Sequence, residues 1–233
     1  MPKRQVVFQN DNYYHIFNKS IGSQNIFVGK RHCDRAMSLL DYYRYKQDKR
    51  YSYFCLLSKE DKSRYLESSH KQKPLLEIHA FSLMPNHFHF LVKQNLDNGI
   101  VKFTSCFQNG FAKFFNLKNN RSGSLFNHMF KAVMIEDEDQ LLHLSRYIHL
   151  NPVTASLVRI EDLANFPYNS FGSYLDGKNG DLVTTSVIKN CFSNVKKYKK
   201  FVADRADYQK KIADIKLLIL EDKKKNYLKK TLV

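Results

Sequence analysis

The apolar and polar positions of the chain follow two spacings, one of two residues and one close to 3.6. The spacing of two, with aromatic and β-branched residues, predicts strands at residues 13–20, 75–84, 87–94 and 130–136. The spacing of 3.6 predicts helices at residues 33–47, 98–118 and 137–152. The last helix is expected to end near Pro152. The order strand, helix, strand, strand, helix, strand, helix predicts an α+β fold in which helices pack on an antiparallel sheet.

Two segments between the first helix and the second strand are less regular. Residues 51–57 are apolar and fit either a strand or the end of a helix. Residues 58–74 are charged and close on a proline, which is typical of a solvated insertion.

The C-terminal part of the chain differs from the rest in composition. Residues 189–230 contain 14 Lys or Arg against 5 Asp or Glu, with helical stretches such as residues 208–222. We therefore predict a folded domain of residues 1–176 and a Lys-rich, partly helical extension of residues 177–233. The extension is either an accessory helical element or a partly ordered basic arm.

Composition points to the partner and the compartment. The 233 residues are 43% hydrophobic, enough for a core, and carry a formal charge of +16. Such a charge favours a polyanion, most often nucleic acid, over a basic surface that only maintains solubility. The four cysteines form no CxxC pair and are typical of reduced thiols. With no signal sequence and no apolar run of about 18 residues, we expect a cytoplasmic, bacterial protein without a membrane partner.

The stretch MPNHFHFLV, residues 84–92, places His87 and His89 in an apolar strand. Residues two apart on a strand face the same side, so both imidazoles point to one place while Phe88 and Phe90 face the core. Two imidazoles suit a metal site, although hydrogen-bonded or exposed histidines are the alternative. A divalent ion would need further ligands, with water or substrate completing its shell.

The stretch SRYIHLNPV, residues 145–153, places Tyr147 and Asn151 one helical turn apart on the same face. The plain alternatives are a core tyrosine with its hydroxyl at the rim and an asparagine that stops the helix before a proline. Together with His87 and His89 they form a coherent chemical set. A metal would polarise a phosphate of DNA, and the tyrosine oxygen would attack the phosphorus to form a phosphotyrosine ester.

Three stretches in this order resemble the IS200-like, single-tyrosine HUH transposases, in particular the branch associated with repetitive extragenic palindromes (REP): FSLMPNHFHFLVK, LFNHMFKAVMIEDEDQLLHLSRYIHLNPV and FPYNSFGSYL. The stretch YYHIFNKSIGSQNIF also fits, and the resemblance covers roughly residues 10–176. It implies the HUH endonuclease fold, with an RRM-like or ferredoxin-like antiparallel sheet and packed helices. It further implies cleavage and rejoining of single-stranded DNA beside a hairpin, with Mg²⁺ or Mn²⁺ as cofactor.

The resemblance also assigns roles. His87 and His89 match the HUH metal-binding pair, and Tyr147 matches the nucleophile. Asn151 stands where the family places a polar third metal ligand, which is often Gln in relatives. His149 is interpreted as structural or DNA-proximal and not as catalytic.

Further residues are candidates for DNA contacts outside the catalytic set. Arg121, Lys131 and Arg146 are candidate phosphate contacts, with plain solvated charges as the alternative. Tyr13 and Tyr14 are candidates for stacking on bases, with core packing as the alternative for one of them.

Two other functions compete with a DNA strand transferase. One is a domesticated, non-catalytic nucleic-acid-binding protein on the same fold, and the other is a metal-dependent hydrolase without a covalent step. The complete set of His87, His89, Tyr147 and Asn151 favours the transferase, while monomer and homodimer stay equally open.

Overall fold

The residues that the computed structural model describes, 6–176 and 180–204, fold around one four-stranded sheet. The strands are β1 (Tyr13–Lys19), β2 (Leu76–Met84), β3 (His87–Gln94) and β4 (Lys131–Ile135). Their spatial order is β2, β3, β1, β4, and all neighbours are antiparallel. This is the order of an RRM-like or ferredoxin-like sheet, so the predicted α+β fold is confirmed.

Eight α-helices surround the sheet within the described ranges. They are α1 (Lys30–Tyr43), α2 (Tyr51–Phe54), α3 (Lys59–His70), α4 (Gly99–Lys118), α5 (Glu138–Thr154), α6 (Phe171–Asp176), α7 (Ser186–Lys189) and α8 (Val195–Ala203). Of the two alternatives for residues 51–57, the helical one is correct. The charged residues 58–74 carry α3, whose first turn is capped by the Ser58 side chain accepting from the Asp61 amide. No helix in these ranges has the length and apolar content needed to cross a bilayer.

The two faces of the sheet are covered by different helices. On one face, the Phe88 and Phe90 rings of β3 lie 5.4 and 5.5 Å from the Phe107 ring of α4. Helix α1 packs against α4 on this side, near Gly110. On the other face, α5 lies across β2 and β3. The alternation of a strand therefore directs the phenylalanines of β3 toward α4 and its histidines toward α5.

Strand β2 lies at the edge of the sheet, and later segments of the chain cover it. The amides of Ser170 and Thr184 donate to the carbonyls of Phe81 and Ile78, at 3.0 and 2.8 Å. These bonds occupy backbone groups that would otherwise be open to pairing with another chain.

Residues 180–204 pack against the rest of the domain. Ile188, Tyr198 and Val202 are buried, and the Tyr198 ring stacks on Tyr174 with centroids 4.8 Å apart. The division of the chain at residue 176 stays a prediction, but this part of the predicted extension contributes to the core. The helical stretch predicted at 208–222 lies outside the described residues.

Candidate catalytic and metal site

His87 and His89 lie side by side on β3, on the face covered by α5. Their ring centroids are 5.0 Å apart. His89 is buried, His87 is half-buried, and Phe88 between them faces the opposite side and is fully buried. The two imidazoles therefore converge on one place at the rim of the sheet, as the alternation predicts.

Hydrogen bonds orient both rings through the same nitrogen. The Nδ1 of His87 lies 2.6 Å from Asn86 Oδ1, which can only accept, so this nitrogen carries the proton. The Nδ1 of His89 lies 2.9 Å from Nε2 of His15. When His89 is the donor in this pair, Nε2 of both His87 and His89 presents a lone pair, as metal-ligating histidines do.

Burial keeps these imidazoles neutral. Removal from water, with a smaller effect of the Lys19 charge, lowers the pKa of His87 to about 4. Removal from water, with smaller effects of the nearby His15 and His87, lowers the pKa of His89 well below its ordinary value. Burial likewise lowers the pKa of His15 to about 3. A neutral imidazole is the form that binds a metal, so near pH 7 no proton competes with the ion.

His15 is the residue of this site that sequence reasoning missed. It lies on β1, fully enclosed, with its ring 5.1 Å from His89 and 6.3 Å from Tyr147. The alternation in YYHIFNK places His15 on the face opposite to Ile16. Only the pairing of Phe17 with His89 across the strands reveals that this is the face of the histidine pair.

Tyr147 reaches the histidines from α5, the helix that also carries Asn151. The Tyr147 ring stands edge-on to His89 with centroids 5.5 Å apart and is partly exposed. One turn further along, the buried Nδ2 of Asn151 has no hydrogen-bond partner among the described residues. Because the two ends of an asparagine amide exchange by a half-turn, this position also suits Oδ1, the atom that would bind a cation.

Helix α5 runs through its proline because another side chain replaces the lost hydrogen bond. Pro152 has no N–H, so the carbonyl of Ile148 loses its helical donor. The Nδ2 of Asn169 donates to this carbonyl and to that of His149, each at 3.2 Å. The helix ends at Thr154, two residues beyond Pro152, so the expected end near Pro152 agrees with the structure to within two residues. Asn151 thereby stays in helical register with Tyr147.

His149 anchors α5 on the side away from the histidine pair. Its Nε2 lies 2.9 Å from Ser170 Oγ, and its Nδ1 lies 2.9 Å from the Tyr198 hydroxyl. Burial lowers its pKa to about 3. His149 is therefore a neutral structural residue, which is the first of the two roles, structural or DNA-proximal, predicted for it from the sequence.

Two of the predicted DNA contacts are wrong because the side chains are buried. Tyr14 is 0% exposed, and its hydroxyl accepts from the Gln9 amide at 2.8 Å, so it cannot stack on a base. Arg146 is 1% exposed. It donates to the Phe201 carbonyl at 3.1 Å and lies over the Phe201 ring, so it serves the packing of α8 on α5.

The other three predicted DNA contacts stay predictions. Tyr13 is half-buried beside His79, with ring centroids 5.1 Å apart. Lys131 is half-buried on β4. Phe17 of β1 pairs with Lys131 on one side and with His89 on the other, so Lys131 and His89 are two strand spacings, about 10 Å, apart. Arg121 is half-buried in the loop after α4 and donates to Asn116 Oδ1 and the Ser124 carbonyl.

The donor set fits a weakly held, exchangeable ion. Among the described residues no group of three or more His, Cys, Asp and Glu side chains is placed to hold a metal. Two imidazoles and one amide would leave several coordination positions for water and phosphate oxygen. Imidazole ligands suit Mn²⁺ or Zn²⁺ better than Mg²⁺, which prefers oxygen.

Comparison with known proteins finds a family model that matches part of the chain. Residues 48–151, a little under half of the chain, match the family model described as "Transposase IS200 like". No match is found among curated proteins.

Two solved structures are similar over most of their own length. A REP-associated tyrosine transposase bound to a REP hairpin is 13% identical, with a TM-score of 0.48 over 80% of this chain and 93% of the other. A candidate transposase from Deinococcus radiodurans is 15% identical, with a TM-score of 0.35 over 64% of this chain and 95% of the other.

Proposed function

Because residues 48–151 match the family model described as "Transposase IS200 like", we propose that the chain cleaves and rejoins single-stranded DNA with Tyr147 as nucleophile. The observation that carries the proposal is the contact between Tyr147 and His89, whose rings are 5.5 Å apart. This arrangement sets a phenol, a potential nucleophile, beside two neutral imidazoles that could serve as metal ligands.

In the proposed reaction, Tyr147 Oη attacks the phosphorus of a phosphodiester. The Oη–P bond forms, the bond from phosphorus to the 3′ oxygen breaks, and the strand stays attached as a 5′-phosphotyrosine. The phenol releases its proton to water, and the departing 3′ oxygen takes up a proton. Attack by a 3′ hydroxyl on the phosphotyrosine reverses these steps and joins two strands.

His87, His89 and Asn151 are the residues that would hold the divalent ion. When bound, Mg²⁺ or Mn²⁺ would stabilise the charge that develops on the phosphate. His15 positions His89 through the bond between Nε2 and Nδ1, and Asn86 positions His87 in the same way. Lys131 and Tyr13, on the same face of the sheet, are the proposed contacts of the strand. The sequence resemblance to the REP-associated branch supports a hairpin beside the cleaved strand.

The test is covalent capture on a labelled single-stranded oligonucleotide that carries a hairpin. Tyr147→Phe should remove the covalent product and leave binding nearly unchanged, because only one hydroxyl is lost. His89→Ala should remove cleavage that depends on Mn²⁺. A covalent product from the Phe variant would show that another residue is the nucleophile, and cleavage that survives in EDTA would exclude the metal role.

One observation favours the non-catalytic binder as a second candidate. Among the described residues no group of three or more His, Cys, Asp and Glu side chains is placed to hold a metal. The same assay separates the two functions, since a pure binder retains the oligonucleotide without forming a covalent product at any Mn²⁺ concentration.

A further inference from the structure

A basic groove of about 990 Å³ lies between α1, α2 and α4. These helices belong to the layer on the Phe88 side of the sheet, so the groove is on the opposite face from Tyr147. We call it the α1–α4 groove. The cationic side chains that line it are Arg31, Arg35, Arg50, Lys113 and Lys118.

Arg35 is held rigidly in this groove. Its guanidinium carbon lies 4.9 Å from the ring centroid of Tyr51 and 4.8 Å from that of Phe114. One weak hydrogen bond, from Nη1 to Cys55 Sγ at 3.5 Å, completes its contacts with the described residues. A guanidinium fixed between two rings loses little freedom when it binds an anion, and its planar fork matches two phosphate oxygens.

The positive charge of the groove is not neutralised from within. Its one acidic lining residue, Asp34, already pairs with Lys30 and accepts from the Tyr168 hydroxyl. The four other cations of the lining form no ion pair with the described residues and are exposed. Holding uncompensated like charges around one groove is unfavourable, and a bound polyanion would remove that cost.

The spacing of the cations matches a nucleic-acid strand. At 1.5 Å per residue, Arg31 and Arg35 are about 6 Å apart along α1, and Lys113 and Lys118 are about 7.5 Å apart along α4. Phosphates follow one another at about 3.4 Å along the axis of each strand of a duplex. Each wall therefore spans about two nucleotide steps. Aromatic side chains interleaved with these cations are typical of surfaces that bind single strands.

We propose that the α1–α4 groove is a second DNA site, which binds the backbone of a strand outside the phosphate that is cleaved. The ligand class rests on the proposed function, but the groove lies on the other face of the sheet and needs no catalytic residue. Binding there would hold the DNA while its cleaved segment lies against Tyr147 on the opposite face.

The first test is binding of a single-stranded oligonucleotide in EDTA, where no cleavage is needed. The groove variant combines Arg50→Gln, Lys113→Gln and Lys118→Gln. The control combines Lys59→Gln, Lys73→Gln and Lys102→Gln, which removes the same charge from exposed lysines outside the lining.

Loss of three phosphate contacts should reduce the steepness of log affinity against log salt by about 2. When salt is lowered from 1 M to 0.1 M, the affinity of the groove variant should therefore rise about 100-fold less than that of the parent. The control should keep the parent slope, because its lysines do not line the groove. Equal losses in both variants, or none in either, would overturn the proposal. The two proposals can fail separately. If the parent protein forms no covalent product but the groove variant still loses affinity, the catalytic function is refuted and the groove assignment stands.

The second test uses cysteines that the chain already has. Cys106 lines the groove and is exposed, while Cys191 is exposed elsewhere. Saturating oligonucleotide should slow alkylation of Cys106 and not of Cys191, as measured by mass spectrometry. Equal slowing at both cysteines would argue against a local site. Protection of Cys106 by inorganic phosphate alone to the same extent would identify a small-anion site and overturn the DNA proposal.

Discussion

Removal of one hydroxyl from α8 should destabilise the helix that carries the proposed nucleophile. Tyr198 is 1% exposed, and its hydroxyl lies 2.9 Å from Nδ1 of His149 on α5. The Ser170 hydroxyl lies 2.9 Å from Nε2 of the same ring, so the two hydroxyls together satisfy both nitrogens of His149. Tyr198→Phe keeps the ring but leaves a buried imidazole nitrogen without its hydrogen-bond partner.

An unsatisfied buried polar group costs about 1–3 kcal/mol. For a domain of this size, a loss of about 2 kcal/mol lowers the melting temperature by about 4–8 °C. The assay is thermal unfolding of the full chain followed by circular dichroism. Tyr53→Phe is the matched control, because Tyr53 is 59% exposed and its loss of a hydroxyl should have almost no effect.

An unchanged melting temperature for Tyr198→Phe would refute the reasoning. It would mean that His149 does not depend on α8 for its hydrogen bond, and that residues 180–204 are less closely joined to α5 than their burial indicates. Truncation after residue 176 provides a second measure, since it removes Ile188, Tyr198 and Val202 from the core. A truncated protein that melts like the parent would contradict the same conclusion.

Three other perturbations test the site and its supports. His15→Phe should weaken Mn²⁺ binding by about 10–100-fold, as loss of a ligand-orienting partner does, whereas His15→Gln should restore part of the affinity. The assay is calorimetric titration with Mn²⁺, and equal affinities for the parent and both variants would show that His15 only packs. Gly99→Ala should lower the free energy of unfolding by about 1–3 kcal/mol, because its Cβ would clash with the Leu75 carbonyl oxygen; denaturant unfolding with a parent midpoint would contradict this. Burial lowers the pKa of His79 to about 4 and of His149 to about 3. The free energy of unfolding should therefore be highest above about pH 6.5 and should fall at lower pH, because these histidines gain protons in the unfolded state, by up to about 1.4 kcal/mol per pH unit for each histidine. A melting temperature that is constant from pH 7 to pH 4.5 would refute this prediction.

Features that depend on local periodicity could be predicted from the sequence. The alternation of β3 places His87 and His89 on one face whatever that face contacts, because successive side chains of a strand point to opposite sides. The helical spacing places Tyr147 and Asn151 on one face for the same kind of reason. The order of strands and helices was sufficient for the α+β class and the antiparallel sheet.

Features that depend on pairs distant in the chain were decided only by the tertiary structure. His15 joins His89, 74 residues later, through the register of β1 on β3. Tyr14 is buried because its side of β1 faces the core, and Arg146 because α8 packs on its side of α5. Neither burial follows from the sequence pattern of its own strand or helix alone.

The passage of α5 through Pro152 shows the physical reason most directly. Proline removes a backbone donor, and the local rule then predicts a helix end. Asn169, 17 residues further along, supplies a replacement donor for the Ile148 carbonyl, and the helix continues past the proline to Thr154. The sequence determined which residues carry the chemistry and which way they point along each element, because backbone geometry repeats locally. The tertiary structure decided which of them meet, because that depends on which buried groups find partners across the fold.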